Sequence, residues 1–422
     1  MARSEWTGAG LWRGLPLGGL IALFLVVPVW LALLLATPDA GPRLRFHPVS
    51  FDALPGFADD PLTGAMRAFR RSCARLARLP ETRAMGGVDV TTRFGDRMPV
   101  AGRVSDWRPA CAAFDGSTSQ GDMDPHAFFR EHFQPFAVTL NGRAKGTFTG
   151  YYEPVLDAAL EKGGRFTIPL HARPDDLVSV DLGAFRDDLK GRSLAGRING
   201  RRLVPYADRA AIEAGALGDR AEVLAYTDSA VDAFFLHVQG SGRLRLRDGR
   251  MMAVGYAGQN GHPYFSIGRA LIQRGEIPAR AMSMQRLKRW LMANPDRGAA
   301  LMRENARYVF FRRLPDGAGP VGSAGVVLTP RRSLAVDRAF LPLHAPVFLA
   351  ARRPVAGGGC DESVPFRRLM VAQDTGAAIR GEIRGDVFWG RGEEARAIAG
   401  RMAHGGRYFL LLPRAVAERL AP

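Results

Sequence analysis

The sequence predicts a mainly β fold with helices, of the α+β class, preceded by an N-terminal transmembrane helix. Three observations support this prediction: an uncharged apolar run near the N-terminus, helical periodicity in the first third of the chain, and short alternating apolar segments bounded by glycines from residue 146 onward. A chain of 422 residues has room for two or three domains. Because hydrophobic residues make up 47% of it, a folded protein is expected rather than a disordered one.

The first element is a 22-residue uncharged run, Leu15–Ala36. As a helix it would span about 33 Å, enough for the hydrocarbon core of a bilayer. Arg3 and Arg13 precede it and the next basic residue is Arg43, so the N-terminus is expected in the cytoplasm and the body outside it. A cleaved signal peptide is the alternative, although the run is long for one. No cysteine lies near its end, so a lipoprotein anchor is not expected.

Residues 41–145, which follow this anchor or signal segment of residues 1–40, are predicted to be largely helical. Asp60–Arg78 is the clearest helix, because apolar residues recur there at three- to four-residue spacing. These residues are Met66, Phe69, Cys73 and Leu76. Core packing is therefore the simplest role for Cys73. Parts of Met85–Phe114 and Pro125–Phe136 are expected to be helical as well.

From Gly146 onward, threonine, tyrosine and phenylalanine alternate with other residues in a pattern that favours β-strands. Strand candidates up to about residue 250 are GTFTGYYEPVL, RFTIPLHAR, RRLVPYA, EVLAYT and DAFFLHVQGSGRLRL. The segment Val254–Gly275 is rich in turn residues and enters a helix, and Ser283 is placed to cap another.

Beyond Pro320, six short strand candidates with glycine turns fall within about 100 residues. They are GVVLTP, LAVDRAFLP, APVFLAAR, RRLMVAQD, DVFWG and RYFLLLP. Short, evenly spaced strands of this kind predict a small closed barrel.

The net charge of +17 comes mainly from arginine, because only four of the 58 basic residues are lysines. Such a surface attracts anionic polymers or lipids. The sequence lacks a zinc finger, an aromatic RNA-binding signature and a long basic run, so nucleic acid is not expected as a partner. Cys73, Cys111 and Cys360 form no Cys-x-x-Cys pair, and the histidines lack metal-ligand spacing, so neither a metal nor another cofactor is expected. One disulfide is compatible with the three cysteines and would leave an odd thiol.

The candidate for chemistry is LMVAQDTGAAIRGEIRGDVFWG, residues 369–390, which carries Asp374 and Asp386. Asp-Thr-Gly at 374–376 is the signature of aspartic proteases, but those enzymes need two matched aspartates. The nearest second copy, YTDSA at 226–230, lacks the glycine, which weakens the protease interpretation.

Serine nucleophiles are no better supported, because neither Ser241 nor Ser323 lies in a Gly-x-Ser-x-Gly motif. What remains is a carboxylic acid among glycines and aromatic residues. Glycoside cleavage uses such an acid, because the leaving oxygen is protonated as positive charge develops on the sugar. Aromatic residues that would stack on sugar rings, or alternatively pack in the core, are Tyr151, Tyr152, Tyr256, Tyr264, Phe388 and Trp389.

Several motifs occur in a fixed order along the chain. They are FTGYYEP at 148–154, VQGSG at 238–242, YAGQNGHPYFSIG at 256–268, SMQ at 283–285, VFF at 309–311, AVDRAFLPL at 335–343 and QDTG…GDVFWG at 373–390. In these motifs, over about 270 residues from Thr147 to the C-terminus, the chain resembles the membrane-bound lytic murein transglycosylase A (MltA) family.

The resemblance implies a C-terminal domain named for three aspartates (3D), here Asp337, Asp374 and Asp386, folded as a double-psi β-barrel. It also implies a second β-rich domain inserted into the first, with a groove for a glycan strand between them. The implied division is 41–145 for the helical part of the first domain, 146–312 for the MltA-type substrate-binding insert and 313–422 for the catalytic barrel.

The activity that the resemblance implies is cleavage of the MurNAc-β-1,4-GlcNAc bond of peptidoglycan without water, giving 1,6-anhydroMurNAc ends. One carboxyl group can serve both halves of this reaction, first as acid and then as base. The motif match puts this role on Asp386, whose pKa is expected to be raised. Asp374 and Asp337 are expected to supply negative charge or to orient the pocket, and turn capping is the alternative for Asp374. A non-catalytic, expansin-like wall-binding module is the alternative function.

The middle motifs imply a set of substrate contacts. They are Gly150, Tyr151, Tyr152, Gln239, Gly240, Ser241, Gly242, Asn260, Gly261, His262, Tyr264, Ser266 and Trp389. For His262 a structural, hydrogen-bonded role is the alternative. The sequence departs from the family at His344 and Ala377, where glycine is usual, and both changes are expected to affect turns near the site.

The implied partners are glycan strands of peptidoglycan, the membrane through the N-terminal helix, and other murein-synthesis or hydrolase proteins. The implied location is the periplasmic face of the cell envelope, with anchorage in the inner membrane by residues 15–36 or, alternatively, release into the periplasm after signal cleavage.

Overall fold

The computed structural model describes residues 44–118, 124–189, 192–315, 317, 319–358 and 362–420, and these form one compact unit. The predicted anchor, residues 15–36, lies outside the described residues, as does Cys360. None of the described helices is both long and apolar enough to cross a bilayer. The predicted class is confirmed within these ranges, because strands outnumber helices and both are present.

The strands of the described residues form three larger sheets and one hairpin. In chain order they are β1 (Leu44–Pro48), β2 (Asp89–Thr91), β3 (Arg97–Pro99), β4 (Phe133–Leu140), β5 (Gly146–Glu153), β6 (Val155–Ala159), β7 (Ile168–His171), β8 (Val178–Asp181), β9 (Ser193–Asn199), β10 (Arg202–Pro205), β11 (Val223–Thr227), β12 (Ser241–Leu246), β13 (Met251–Gln259), β14 (Val309–Arg313), β15 (Ser333–Val336), β16 (Pro346–Pro354), β17 (Ser363–Asp374), β18 (Arg384–Arg391) and β19 (Ala403–Pro413).

The described α-helices are α1 (Thr63–Leu76), α2 (Val104–Thr118), α3 (Pro125–His132), α4 (Arg209–Glu213), α5 (Ala230–Gln239), α6 (Ile267–Gln273), α7 (Met284–Ala293), α8 (Pro295–Glu304), α9 (Glu393–Ala399) and α10 (Arg414–Leu420). Helix α1 confirms the helix predicted from apolar periodicity and buries all four residues of the predicted face. Ser283 caps α7 as predicted, because its side chain accepts the Arg286 N–H.

The largest sheet closes into a ring of six strands. The ring runs β19–β16–β17–β15–β18–β5, and β5 pairs back with β19. Two neighbouring pairs, β15/β17 and β5/β18, are parallel, and the others are antiparallel. Strands β4 and β1 extend the sheet from β19. The predicted closed barrel is therefore present.

The sixth strand of the ring differs from the prediction. GVVLTP, residues 325–330, makes only an isolated bridge through Val327, and the missing place in the ring is taken by β5 from the FTGYYEP motif. The chain thus leaves the barrel after Glu153, rather than at Gly146, and returns at β15. Between these points lie a six-stranded sheet, β14–β13–β12–β6–β11–β7, and a three-stranded one, β10–β9–β8.

The segment DAFFLHVQGSGRLRL was predicted to be a strand throughout, and its first half is instead helix α5. Ser229 caps this helix by accepting the Asp232 N–H, and Gly240 ends it in the left-handed region at φ +77°. Phe234, Phe235 and Leu236 are all buried, so the apolar run itself carried no clear period. Only residues from Ser241 onward form the strand β12.

Helices α1 and α2 cover one side of the barrel and share a single hydrophobic core with it. Cys73 of α1 and Cys111 of α2 form a disulfide. Cys73 is buried as predicted, but core packing is not its only role, because the disulfide links two helices across 38 residues of chain.

Replacing both cysteines, Cys73→Ala/Cys111→Ala, is expected to lower the free energy of unfolding by about 4 kcal/mol, because the link restricts the unfolded chain over the 38-residue loop. Urea denaturation with and without a thiol reductant measures this. Reductant should destabilise the wild type and leave the variant unchanged. Equal sensitivity of both proteins would contradict the prediction.

The segment before α1 is fixed to the barrel by a buried ion pair. Both Asp60 oxygens accept hydrogen bonds from the Arg332 guanidinium at 2.7 Å, and the Leu369 N–H donates to Asp60 Oδ2 at 2.6 Å. The Asp60 side chain is fully buried and that of Arg332 is 7% exposed. Arg332 precedes β15 and Leu369 lies in β17, so this one carboxylate connects three segments.

Candidate active site

A cavity of about 210 Å³ lies where the barrel meets the segment between β5 and β15. The barrel contributes residues of β5, β15 and β18 and the turn after β17, and the intervening segment contributes the end of α5 and the approach to β14. The lining residues are Gly150, Tyr151, Arg209, His237, Val238, Gln239, Tyr264, Asn305, Arg307, Val309, Ala335, Asp374, residues 375–379 and Asp386.

Asp386 is held by its neighbour on the adjacent strand. Strands β5 and β18 are parallel, with Thr149 opposite Asp386. The Thr149 hydroxyl donates to Asp386 Oδ1 at 2.6 Å, and Arg384 Nη2 donates to the same hydroxyl oxygen at 2.8 Å. Because a guanidinium only donates, the Thr149 proton is directed at Asp386. Oδ1 is thereby occupied, and Oδ2 is the oxygen available for proton exchange.

Burial raises the pKa of Asp386 to about 6. The negative charge of Asp374 also raises it, whereas the Thr149 hydrogen bond and the positive charge of Arg384 lower it. The pKa of Asp386 was expected to be raised, and burial is its main cause. A carboxyl group with a pKa near 6 holds its proton in about a tenth of molecules at pH 7, far more than an ordinary aspartic acid does.

Asp374 ends β17 and faces the same cavity. Its Oδ1 accepts the backbone N–H groups of Ser323 and Thr375 at 2.9 Å, and its Oδ2 accepts the Tyr151 hydroxyl at 2.8 Å. Burial raises the pKa of Asp374 as well. This carboxylate therefore bonds the backbone of a turn and also lines the cavity. The preceding Gln373 donates to Ala68 O and Ser72 Oγ of α1, which fixes the end of the strand.

Asp337 is not among the residues that line the cavity. It is buried, and its two oxygens accept the N–H groups of Ala339 and Gly381 at 3.2 and 3.0 Å. Arg380 lies 3.8 Å from it. Asp337 thus holds two loops together through backbone amides, one of them at a glycine turn, which is the orienting role among its expected alternatives.

Of the predicted substrate contacts, Gly150, Tyr151, Gln239 and Tyr264 line the cavity. Gln239 also accepts the Tyr152 N–H at 3.1 Å, which joins the end of α5 to β5.

The glycine-serine motif after Gln239 is structural in this geometry. Gly240 is the left-handed cap of α5, and Ser241 begins β12. A Cβ at Gly242 would lie 2.5 Å from Leu236 Cδ1 and 3.0 Å from Pro154 O, so the glycine permits close packing.

The second motif, at 256–268, is also largely structural. Asn260 is fully buried and bonds the backbone of Ala207, Ala306 and Tyr308, while a Cβ at Gly261 would lie 2.3 Å from Ala195 O. His262 bonds Tyr206 O at 2.8 Å, in agreement with its structural alternative, and Ser266 caps α6. Two further predicted contacts, Tyr152 and Trp389, are buried and are not among the lining residues.

Family comparisons place this geometry among known proteins. The model of the MltA specific insert domain matches residues 147–312, and that of the 3D domain matches residues 332–412. The crystal structure of a membrane-bound lytic murein transglycosylase from Agrobacterium tumefaciens is 32% identical, with a TM-score of 0.74 over 89% of this chain and 99% of that one. The chain belongs to the MltA family.

Two other MltA proteins show the same relationship. The crystal structure of E. coli MltA with bound chitohexaose is 27% identical, with a TM-score of 0.60 over 90% of this chain and 93% of that one. Membrane-bound lytic murein transglycosylase A of Escherichia coli K12 is 36% identical over 267 residues, which are 63% of this chain and 65% of that protein's length. The aligned sequence thus spans somewhat less than two thirds of this relative.

The two departures from the usual MltA pattern have visible consequences. His344 adopts φ +73°, in the left-handed region that glycine enters at lower cost. Its ring is buried, and burial lowers its pKa to about 4. Ala377 is part of the turn after β17 that lines the cavity.

Several residues at or beside this MltA cavity were not predicted from the sequence. Thr149 lies within the FTGYYEP motif and its hydroxyl is the direct partner of Asp386. Arg209 donates to Asn305 O and Arg307 O. Burial of the His237 ring and, next, the positive charge of Arg209 hold the pKa of His237 well below its usual range. His237 Nδ1 accepts the Val309 N–H, so the neutral ring carries its proton on Nε2. No motif links these residues, which come from distant segments.

Gly150 is required by contact with Trp389. A Cβ at this position would lie 2.6 Å from Trp389 Nε1 and 3.0 Å from the Ala399 Cα. Gly150→Ala is therefore expected to displace β5 and to lower both the melting temperature and the activity on murein. Differential scanning calorimetry and a murein digestion assay measure these effects. Gly163→Ala is the matched control, because a Cβ at Gly163 meets nothing within 4 Å. Gly142 also lies in open space, but its φ of +77° would strain an alanine.

Proposed function

We propose that this chain is a peptidoglycan lytic transglycosylase, which cleaves the MurNAc-β-1,4-GlcNAc bond without water and leaves 1,6-anhydroMurNAc ends. The observation that carries the proposal is the carboxyl group of Asp386, which lines the cavity, is held by the Thr149 hydroxyl and has a pKa raised to about 6. Membership of the MltA family and the structure of a relative with bound chitohexaose support a glycan as the substrate.

In the proposed reaction Asp386 acts twice. Protonated Oδ2 donates to the oxygen that leaves C1 of the muramyl residue. The muramyl C6 hydroxyl then attacks C1 and passes its proton to the carboxylate, which restores the acid. No water is consumed, because the C6 oxygen takes the place of the leaving oxygen on C1. Thr149 keeps Oδ1 engaged throughout, so Asp386 stays in one orientation.

Asp374 has a supporting part in this proposal. Its carboxylate raises the pKa of Asp386, and a negative charge at the cavity wall also stabilises the positive charge that develops on the sugar. The two aspartates do not resemble a protease dyad, because each accepts a hydroxyl of its own, from Thr149 and from Tyr151.

The implied division into an insert and a double-psi barrel fits the closed ring and the excursion between β5 and β15. We propose that β5 belongs to the barrel domain and that the glycan-binding groove is the cavity between the barrel and the insert. The Cys73–Cys111 disulfide supports placement in the periplasm, because disulfides persist in oxidising compartments. Anchorage in the inner membrane by residues 15–36 stays a prediction.

Digestion of purified murein sacculi, followed by mass spectrometry of the products, tests the function. Anhydro-muropeptides are the expected products. Reducing muramyl ends would indicate hydrolysis instead, and glycan binding without product release would favour the expansin-like alternative.

The pH dependence follows from the Asp386 pKa. Because the first step needs the protonated acid, kcat/KM is expected to fall about tenfold per pH unit above roughly pH 6. Thr149→Val removes a hydrogen bond that lowers this pKa, so the alkaline limb of the profile should move to higher pH. A pH series on soluble glycan strands measures both effects.

Thr147→Val is the matched control for this series, because Thr147 lies on the same face of β5, two residues away, opposite Arg384. Its alkaline limb should coincide with that of the wild type. If Thr149→Val lowers kcat/KM at every pH but leaves the alkaline limb at the wild-type pH, Thr149 is not coupled to the titrating group.

A further inference from the structure

A second cavity, larger and strongly basic, lies beside the first. Its volume is about 670 Å³, and it is formed by the β4–β5 turn together with the segment that leads into β18. Arg143, Lys145, Arg380 and Arg384 contribute four positive charges, and Glu382 contributes one negative charge. The proposed function uses none of these charges except that of Arg384.

The two cavities share one face of the β5/β18 pair. Thr147 and Arg384 stand opposite each other and line the basic cavity, and Thr149 and Asp386 stand opposite each other two residues farther along. Residues two apart in a strand point to the same face at a separation of about 7 Å. The basic cavity therefore begins about one sugar's length from the carboxyl group of Asp386.

Three of the four cations of this cavity are available to a ligand, whereas Arg384 already donates to two backbone carbonyls and to Thr149 Oγ1. Arg143 and Lys145 are exposed, and no carboxylate pairs with either of them in the described residues. The aliphatic part of the Lys145 side chain lies against Gly405 of β19. The Arg380 side chain is 73% exposed and lies no nearer than 3.8 Å to Asp337.

We propose that this basic cavity binds a carboxylate of the peptide stem carried by the muramyl residue next to the cleaved bond. This inference rests on the proposed function. Where a stem is attached, the lactyl carboxylate of MurNAc is bound in an amide, so the sugars themselves are uncharged and give no reason for a cluster of cations at this place. The stem is the anionic part of the substrate, and carboxylates form charge-assisted hydrogen bonds with arginine and lysine.

The inference predicts a preference for glycan whose stem carboxylates are free. Two soluble substrates made from the same murein test it: strands with uncross-linked stems, and the same strands after carbodiimide coupling with ammonia has converted the stem carboxylates to neutral amides. The full-length wild type is expected to show a lower KM for the first. In Arg143→Gln/Lys145→Gln the ratio of the two KM values should shrink about tenfold, and added salt should shrink the wild-type ratio in the same direction.

The matched control is Lys162→Gln/Arg201→Gln, which removes the same charge from exposed positions of the intervening segment. It should keep the wild-type preference. A double variant at Arg143 and Lys145 that loses activity equally on both substrates, or keeps the full preference, would overturn the inference.

Two further outcomes are separable. If the wild type forms anhydro products from both substrates without preference, the stem site is wrong and the proposed function stands; if it forms none from either, the proposed function itself fails. Dihexanoyl-phosphatidylglycerol below its micelle concentration is the competing probe. If the wild type binds this lipid and Arg143→Gln/Lys145→Gln does not, while the stem preference persists in the variant, the cavity is a site for anionic lipid and the inference is overturned.

Discussion

Asp386→Asn is expected to reduce the release of anhydro-muropeptides from murein about a thousandfold, the range lost when a general acid is removed. An amide cannot supply the proton for the leaving oxygen or take one from the C6 hydroxyl, so both halves of the reaction fail together. The Asn oxygen can still accept the Thr149 hydroxyl, so the cavity should keep its shape. Product analysis by mass spectrometry and a glycan-binding assay on the same variant measure the two effects separately.

Asp219→Asn is the matched control, because Asp219 is exposed on a short 3-10 helix outside the cavity. It should retain wild-type turnover. If Asp386→Asn keeps turnover within tenfold of the wild type, the proton transfer must be assigned to another group. Retained glycan binding with lost turnover is the combination that the proposal requires.

Asp60→Asn is expected to lower the free energy of unfolding by about 3–5 kcal/mol, because it leaves the buried Arg332 guanidinium without a compensating charge. The effect should reach the whole barrel, since Asp60 also accepts the Leu369 N–H of β17. Urea denaturation followed by tryptophan fluorescence measures it.

Asp52→Asn provides the comparison. Asp52 pairs with Arg130 at 3.0 Å, but its side chain is 80% exposed, so its loss should cost below about 1 kcal/mol. Similar losses for the two variants would mean that burial of the Asp60–Arg332 pair has no special weight in stability.

Local patterns in the sequence were sufficient for much of the fold. The face of α1, the cap of α7 and five strands of the barrel all follow from periodicity and capping over a few residues. Helix α5 was missed because its central run, residues 233–236, is continuously apolar, and so short a run has no period to distinguish helix from strand.

Long-range pairing could not be predicted from such patterns. The sixth strand of the barrel, β5, lies far from the others in sequence, and nothing in FTGYYEP indicates which strands it joins. For the site, the motifs indicated Asp386, Asp374 and the Tyr151 segment. They did not separate residues that line the cavity, such as Gln239, from residues that only support it, such as Asn260 and His262.

The place of β5 in the ring has a consequence for synthesis of the chain. Its partner β19 begins at Ala403, 250 residues after β5 ends at Glu153. At about 5–20 residues per second, the early strands wait roughly 10–50 s before their partners emerge. During that time β4 and β5 present unpaired, largely apolar edges, which are prone to aggregate. The nascent protein is thus a natural client for a holding chaperone, and the barrel forms late, by closure over long sequence distances.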